Sequence, residues 1–305
     1  MNQAIVTKST GSWYLLKDTR TGTVYEARIR GKFKKDKIRN TNPLAVGDKV
    51  DYELEKNSVA WITKIYPRKN YLIRKSVNLS KETHILASNI DLACIVFTIR
   101  NPQTSLGFLN RFLITCEAYQ IPVLIVFNKI DLLSGGELEE LKSVDSVYRN
   151  IGYQTLEISA IGNINIETLK KIVQDKITVF LGHSGSGKTS TINALQPGLD
   201  LKTTPVSDYN EKGKHTTTFA QMYDWNFGGN IIDIPGIKEF ELVDMKREEL
   251  QDYFPEIFKE RHLCKFNNCL HINEPQCAVI QAVKEKRISE KRYLHYLKLM
   301  EELLG

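Results

Sequence analysis

Residues 177–191, ITVFLGHSGSGKTST, join a β-branched apolar run to a glycine-rich turn and then to a helix start. Gly182, Gly187, Lys188 and Thr189 satisfy the pattern G-x-x-x-x-G-K-[ST], with a strand ahead of it and a helix expected over 189–195 behind it, which is the context the pattern requires. Glycine lets backbone N–H groups curl around phosphate oxygens, and the helix N-terminus adds the positive end of its dipole. Lys188 reaches the β- and γ-phosphates, and Thr189 can ligate Mg²⁺. His183, Ser184, Gly185, Ser186 and Ser190 belong to the same expected nucleotide lining.

Upstream, residues 89–100, NIDLACIVFTIR, are apolar almost throughout, as a strand covered on both faces should be. A helix is expected over 105–119 and a second buried strand over 122–127. That strand runs directly into Asn128-Lys129-Ile130-Asp131, the N-K-x-D pattern of guanine recognition. The Asp131 carboxylate can accept both the N1–H and the exocyclic amine of guanine, an arrangement adenine does not present. A helix over 136–150 and a strand over 154–158 then lead to Ser159-Ala160, whose backbone would back the guanine ring. Downstream, residues 198–222 are rich in Thr, Lys and Gly without hydrophobic periodicity, as a switch loop would be, with His215, Thr216, Thr217 and Thr218 at its centre. Thr217 is the expected switch threonine for Mg²⁺ and the γ-phosphate. A strand over 230–234 delivers Asp233-Ile234-Pro235-Gly236, a D-x-x-G pattern: Asp233 would hold the magnesium through water, and the Gly236 N–H would sense the γ-phosphate.

The order of these patterns carries as much information as their presence. An ordinary GTPase places the phosphate loop first and N-K-x-D and S-A last. Here base recognition precedes the phosphate loop, as in a circularly permuted chain, which a parallel-sheet fold tolerates when its original termini lie close together. The segment after D-x-x-G then runs into the C-terminal part of the chain and could carry switch movement there.

With 305 residues, two or three units are expected: 1–75, 76–245 and 246–305. Residues 4–74 read as short strands broken by Gly, Asn or Pro, the pattern of a small closed β-barrel of OB type. Residues 1–75 carry 17 Lys/Arg against 7 Asp/Glu, a balance of +10, while the remainder is at −4. The basic surface therefore sits on the barrel and points to a polyanion, most simply nucleic acid. Arg28, Arg30, Lys32, Lys34, Lys35, Lys37 and Arg39 crowd one segment beside Trp13, Tyr25, Phe33 and Trp61; a barrel this small is expected to keep those aromatics inside. Residues 67–88, polar and basic, read as a linker. Cys264, Cys269, His271 and Cys277 fall within fourteen residues and form a Cys₃His set for one structural zinc, with no open position left on the metal. Residues 288–304 close the chain as an amphipathic helix. No run of eighteen apolar residues and no basic-then-apolar leader occurs, so neither a membrane span nor a secretory signal is expected, and the cytoplasm is the expected compartment.

These residues resemble the ribosome small-subunit-dependent GTPase A family of bacteria over essentially the whole chain. The stretches that carry the resemblance are VGDKV (46–50), IYPRKNYLIRK (65–75), NIDLACIVF (89–97), NKIDLL (128–133), GHSGSGKTS (182–190), GKHTTT (213–218), DIPGIKEF (233–240) and CKFNNCLHINEPQCAV (264–279). The resemblance implies a monomeric, Mg²⁺-dependent enzyme that binds GTP and GDP. It implies hydrolysis stimulated by the small ribosomal subunit late in assembly, with the barrel and zinc unit on ribosomal RNA. In many GTPases a Gln after D-x-x-G positions the attacking water; here that position is Ile237, and His215 is similar to the histidine proposed for the family. Two other readings remain open from the residues: a non-catalytic module in which GTP gates RNA binding, and a GTPase acting on tRNA or a protein target.

Overall fold

The computed structural model describes residues 2–30, 43–55, 59–75, 83–199, 220–234 and 245–304. Five strands form the N-terminal barrel: β1 (Asn2–Ser9), β2 (Tyr14–Asp18), β3 (Val24–Ile29), β4 (Lys49–Leu54) and β5 (Ala60–Ile65). They pair in the order β1-β2-β3-β5-β4, and β4 returns to β1, closing the sheet. Strand β3 runs parallel to β5 while the other pairs are antiparallel. Val6, Leu16, Ala27, Val50, Tyr52 and Ile62 fill the interior, in keeping with the two-residue period of a half-buried strand.

The stretch expected to be a linker is instead structured. Strands β6 (Tyr71–Lys75) and β7 (Thr83–Ser88) form an antiparallel hairpin that straddles the expected boundary at residue 75. Leu72 and Ala87 face each other across it and pack into the core of the next unit. Basic residues dominate the composition here because their partners lie far off in sequence. Arg68 grips Asp48 with two bonds of 2.6 Å, and Lys69 pairs with Asp91. Val46, Gly47 and Asp48 fasten the barrel to the hairpin: Ser88 donates from its N–H to Val46 and from its hydroxyl to Asp48.

The central unit is a six-stranded sheet in the order β10-β9-β8-β11-β13-β12. Its strands are β8 (Leu92–Phe97), β9 (Val123–Phe127), β10 (Gln154–Glu157), β11 (Ile177–Leu181), β12 (Gln221–Asp224) and β13 (Asn230–Asp233). Every pairing is parallel except that of edge strand β12. All six residues of β8 are buried, as the unbroken apolar run requires. Helices α1 (Leu106–Ala118) and α2 (Gly136–Ile151) cover one face, and α3 (Ile166–Val173) and α4 (Lys188–Leu195) cover the other. The phosphate-loop strand β11 is central in space although three strands of the sheet precede it in sequence, so the permuted order still yields a doubly wound sheet. A single bridge, Lys8 to Gln221, joins β1 to β12 and makes barrel and core one continuous sheet.

The C-terminal unit is helical, with a 3-10 turn at Arg247–Tyr253 followed by α5 (Pro255–Glu260), α6 (Ala278–Lys284) and α7 (Glu290–Glu302). Its core of Leu250, Phe254, Ile257, Val279 and Tyr296 accepts Ile114 from α1. Beside that contact Arg292, 2% exposed, pairs bidentately with Glu256 at 2.6 and 3.1 Å. It also donates to Asn110 Oδ1 at 2.7 Å, which accepts the Tyr148 hydroxyl as well. Among the described residues no helix is long and apolar enough to cross a membrane.

Candidate functional site

The carboxyl ends of β8, β9, β10, β11 and β13 gather the described members of the expected site at one edge of the sheet, the position at which open α/β sheets hold their ligands. The loop after β11 turns on glycines with positive φ, Gly182, Gly185 and Gly187. At Gly182 a Cβ would overlap the Val96 carbonyl oxygen, and at Gly187 it would overlap Asn128 Nδ2. Gly187 caps α4, whose first N–H groups and dipole therefore face the loop. Lys188 is half-buried; it donates to the Gly182 and His183 carbonyls at 2.6 and 3.1 Å, and burial lowers its ammonium below the ordinary lysine value. Thr189 and Ser190 are exposed on the first turn of α4, as are His183 and Ser184 on the loop, whereas Ser186 is buried and its hydroxyl has no partner among the described residues.

Asn128 joins the base-recognition end to this loop. Its Nδ2 donates to Ser186 O at 2.9 Å and its Oδ1 accepts from Ala160 N at 3.1 Å, across separations of 58 and 32 residues. Lys129, in the left-handed region at φ 65°, donates to Gly185 O at 2.8 Å and to Asn101 O. Asp131 stands exposed in the 3-10 turn Ile130–Leu132. The buried Ser159 closes its own turn, accepting from Gly162 N at 2.8 Å. Asp233 ends β13, and burial raises its carboxyl above the ordinary value. His215, Thr217, Gly236 and Ile237 lie outside the described residues, as do Phe33 and the lysines at 32, 34, 35 and 37 with Arg39.

The four zinc-pattern residues converge, their ligand atoms all within 4.8 Å of one another. Cys264 Sγ lies 3.9 Å from Cys277 Sγ and 3.6 Å from His271 Nδ1, and His271 Nδ1 lies 3.4 Å from Cys277 Sγ. Two sulfurs at about 2.3 Å from one tetrahedral ion are about 3.8 Å apart, so the cluster has the dimensions of a Cys₃His metal site. With Nδ1 turned to the sulfurs, His271 Nε2–H donates to Gln251 Oε1 at 2.9 Å, the outer contact that fixes a metal-bound imidazole. Ala278 N and Ile280 N point at Cys264 and Cys277 sulfurs. Against the upward pull of burial, backbone N–H groups at Leu270, Glu274, Ile272 and Asn273 hold the Glu274 carboxyl below its usual value and shape the turn around His271.

Sequence reasoning missed the loop between β8 and α1. Pro102 packs where a Gly185 side chain would be, Thr98 Oγ1 donates to Pro102 O at 2.6 Å, and Ser105 caps α1. A polar stretch with one proline gives no signal of that role. Gln251 was equally silent, twenty residues from the histidine it supports.

The family described as RsgA GTPase matches residues 65–243, and that described as RsgA N-terminal domain matches residues 3–62. Among curated relatives, the small ribosomal subunit biogenesis GTPase RsgA of Flavobacterium psychrophilum is 51% identical over 97% of this chain and 92% of its own length. The protein of the same name from Bacteroides fragilis is 48% identical over 98% of this chain and 96% of its own length. Among solved structures, YjeQ from Thermotoga maritima superposes with a TM-score of 0.84 at 31% identity, covering 100% of this chain and 99% of that one. YloQ, described as a circularly permuted GTPase, has a TM-score of 0.79 at 32% identity, covering 99% and 94%.

Proposed function

The chain belongs to the RsgA GTPase family, and from that premise we propose that it hydrolyses GTP in response to the small ribosomal subunit and acts as a checkpoint late in that subunit's assembly. The observation that carries the reading is Asn128: one amide fixes the phosphate loop through Ser186 O and the base-backing turn through Ala160 N. A base and its phosphates can then be gripped by one rigid frame. The names of the curated relatives supply the ribosomal direction.

In this reading Asp131 accepts the two guanine donors, and Lys188 with the α4 N-terminus holds the β- and γ-phosphates. Thr189 would ligate Mg²⁺ and Asp233 would hold it through water, hard oxygen donors that suit the ion, which would supply charge neutralisation on the phosphates. His215 is assigned to orient the attacking water and Thr217 to close over the γ-phosphate. Cys264, Cys269, His271 and Cys277 hold zinc; four protein ligands leave no open position, so the metal supplies fold rather than chemistry. The barrel and the zinc unit are assigned to ribosomal RNA on either side of the GTPase unit, with the first boundary placed ahead of the β6–β7 hairpin, and the protein works as a cytoplasmic monomer. Sedimentation with purified subunits in a non-hydrolysable GTP analogue tests the assignment. The expected result is co-sedimentation with the small subunit, and binding to neither subunit rejects it.

A further inference from the structure

We propose that the outer face of β1, β2 and β3 is a binding site for one unpaired RNA nucleotide, with its base stacked on Trp13. The proposal rests on the RNA reading above and adds the site and the chemical form of the ligand. Lys8 faces Leu15 across β1–β2, and Leu15 faces Glu26 across β2–β3, so the three form one row on one face. Trp13 lies two residues from Leu15 and Arg28 two residues from Glu26, which puts both on that same face. Lys8, Thr10, Trp13, Tyr14, Leu15 and Glu26 line an open cavity of about 340 Å³. That is the small end of ligand cavities, about 300–1,000 Å³, and gives room for a nucleoside but not for a helix.

Trp13 is 38% exposed, and the Arg28 guanidinium carbon stands 3.8 Å from the ring centroid. Arg28 holds the indole in place without lining the cavity, so space beside the ring stays open. Lys8 forms no ion pair with a described residue, which leaves its ammonium for phosphate in a segment whose balance is +10. Glu26 sits two strand spacings from Lys8, about 10 Å, across the row. It repels phosphate and accepts N–H groups, so the nucleotide is oriented with phosphate toward Lys8 and a donor edge of the base toward Glu26. Bases within a duplex are already stacked on each other and cannot offer a face to Trp13, which selects an unpaired one. The location agrees with the general use of OB barrels, whose strand 2–3 face and first loop bind oligonucleotides.

The test uses the full-length protein, a labelled single-stranded RNA oligonucleotide, a duplex of the same sequence, and purified small subunits. Trp13→Ala should weaken single-strand binding by about ten- to a hundredfold, whereas Trp13→Phe should stay within about threefold of the parent. Lys8→Ala should weaken binding and flatten its salt dependence. Basal GTP turnover should not change in Trp13→Ala, because the ring belongs to the barrel and not to the phosphate loop, and Trp13→Phe controls for lost packing. Parent-like RNA binding by Trp13→Ala, or an equal loss on duplex RNA, overturns the stacking site. If the parent protein binds the subunit while Trp13→Ala matches it on every RNA, only this inference fails. A parent protein that binds neither subunit nor RNA removes the functional reading itself.

Discussion

At Asn128 a single side chain satisfies two distant backbone groups, and its replacement exposes what each was worth. Asn128→Ala leaves Ser186 O and Ala160 N unpaired, at about 1–3 kcal/mol for a buried polar group. Affinity for fluorescent GDP should fall at least tenfold; parent-like affinity would remove Asn128 from the frame. Ser186 offers the opposite case, because its buried hydroxyl lacks a partner among the described residues. Ser186→Ala should therefore hold or raise the thermal midpoint, and a clear loss would show that the hydroxyl is satisfied in solution. Asp131→Asn should shift preference from guanine to xanthine nucleotides, read as relative affinity for GDP and XDP. In the barrel, the backbone N–H of Thr21 and the Tyr52 hydroxyl hold the Asp18 carboxyl down at about 2, with further bonds from Arg20 N and the Thr21 hydroxyl. A depressed carboxyl stabilises above its unfolded value of about 4 and loses that contribution as pH falls toward 2. Asp18→Asn should flatten the acid melting curve of the protein between those limits.

The C-terminal unit packs its helices around a small core, with the Cys₃His cluster and the buried Arg292–Glu256 pair set into it. Chelation should unfold 245–304 before the central sheet, visible as early loss of amide protection there; a metal assay without zinc, or simultaneous loss across the chain, contradicts it. Arg292→Ala strands Glu256 in the buried junction with α1 and should cost about 3–5 kcal/mol of that unit's stability, measured by its exchange or proteolysis. The closing helix was legible because Tyr296, Leu299 and Met300 recur at helical spacing and are buried. The hairpin at 71–88 was not, since its apolar positions follow the basic pair Arg68 and Lys69, whose acid partners, Asp48 and Asp91, lie in loops outside it. Trp13 was misplaced for a different reason. Volume suggested the interior, but the phase of β2 decides: Tyr14, Leu16 and Asp18 point inward, which turns Trp13 and Leu15 to the outer face.

Over the whole molecule, the site was legible because each recognition pattern ends a strand, and strand ends are where a doubly wound sheet presents its loops. Sequence order alone indicated permutation, and the spatial order β10-β9-β8-β11-β13-β12 realises it with the phosphate loop at the centre. What sequence could not supply is how the units touch. The described contacts of the C-terminal unit with the GTPase unit include α1, whose N-terminal loop packs Pro102 against Gly185, and Tyr148 of α2, under the Arg292 guanidinium; the segment after Asp233, at 235–244, lies outside the described residues. The central claim is that this frame hydrolyses GTP when the small subunit engages it, and turnover by the full-length protein with and without purified small subunits tests it most directly. The account predicts slow intrinsic hydrolysis, on the order of 10⁻³ s⁻¹ or less, rising by orders of magnitude with small subunits; a rate that small subunits leave unchanged would contradict it.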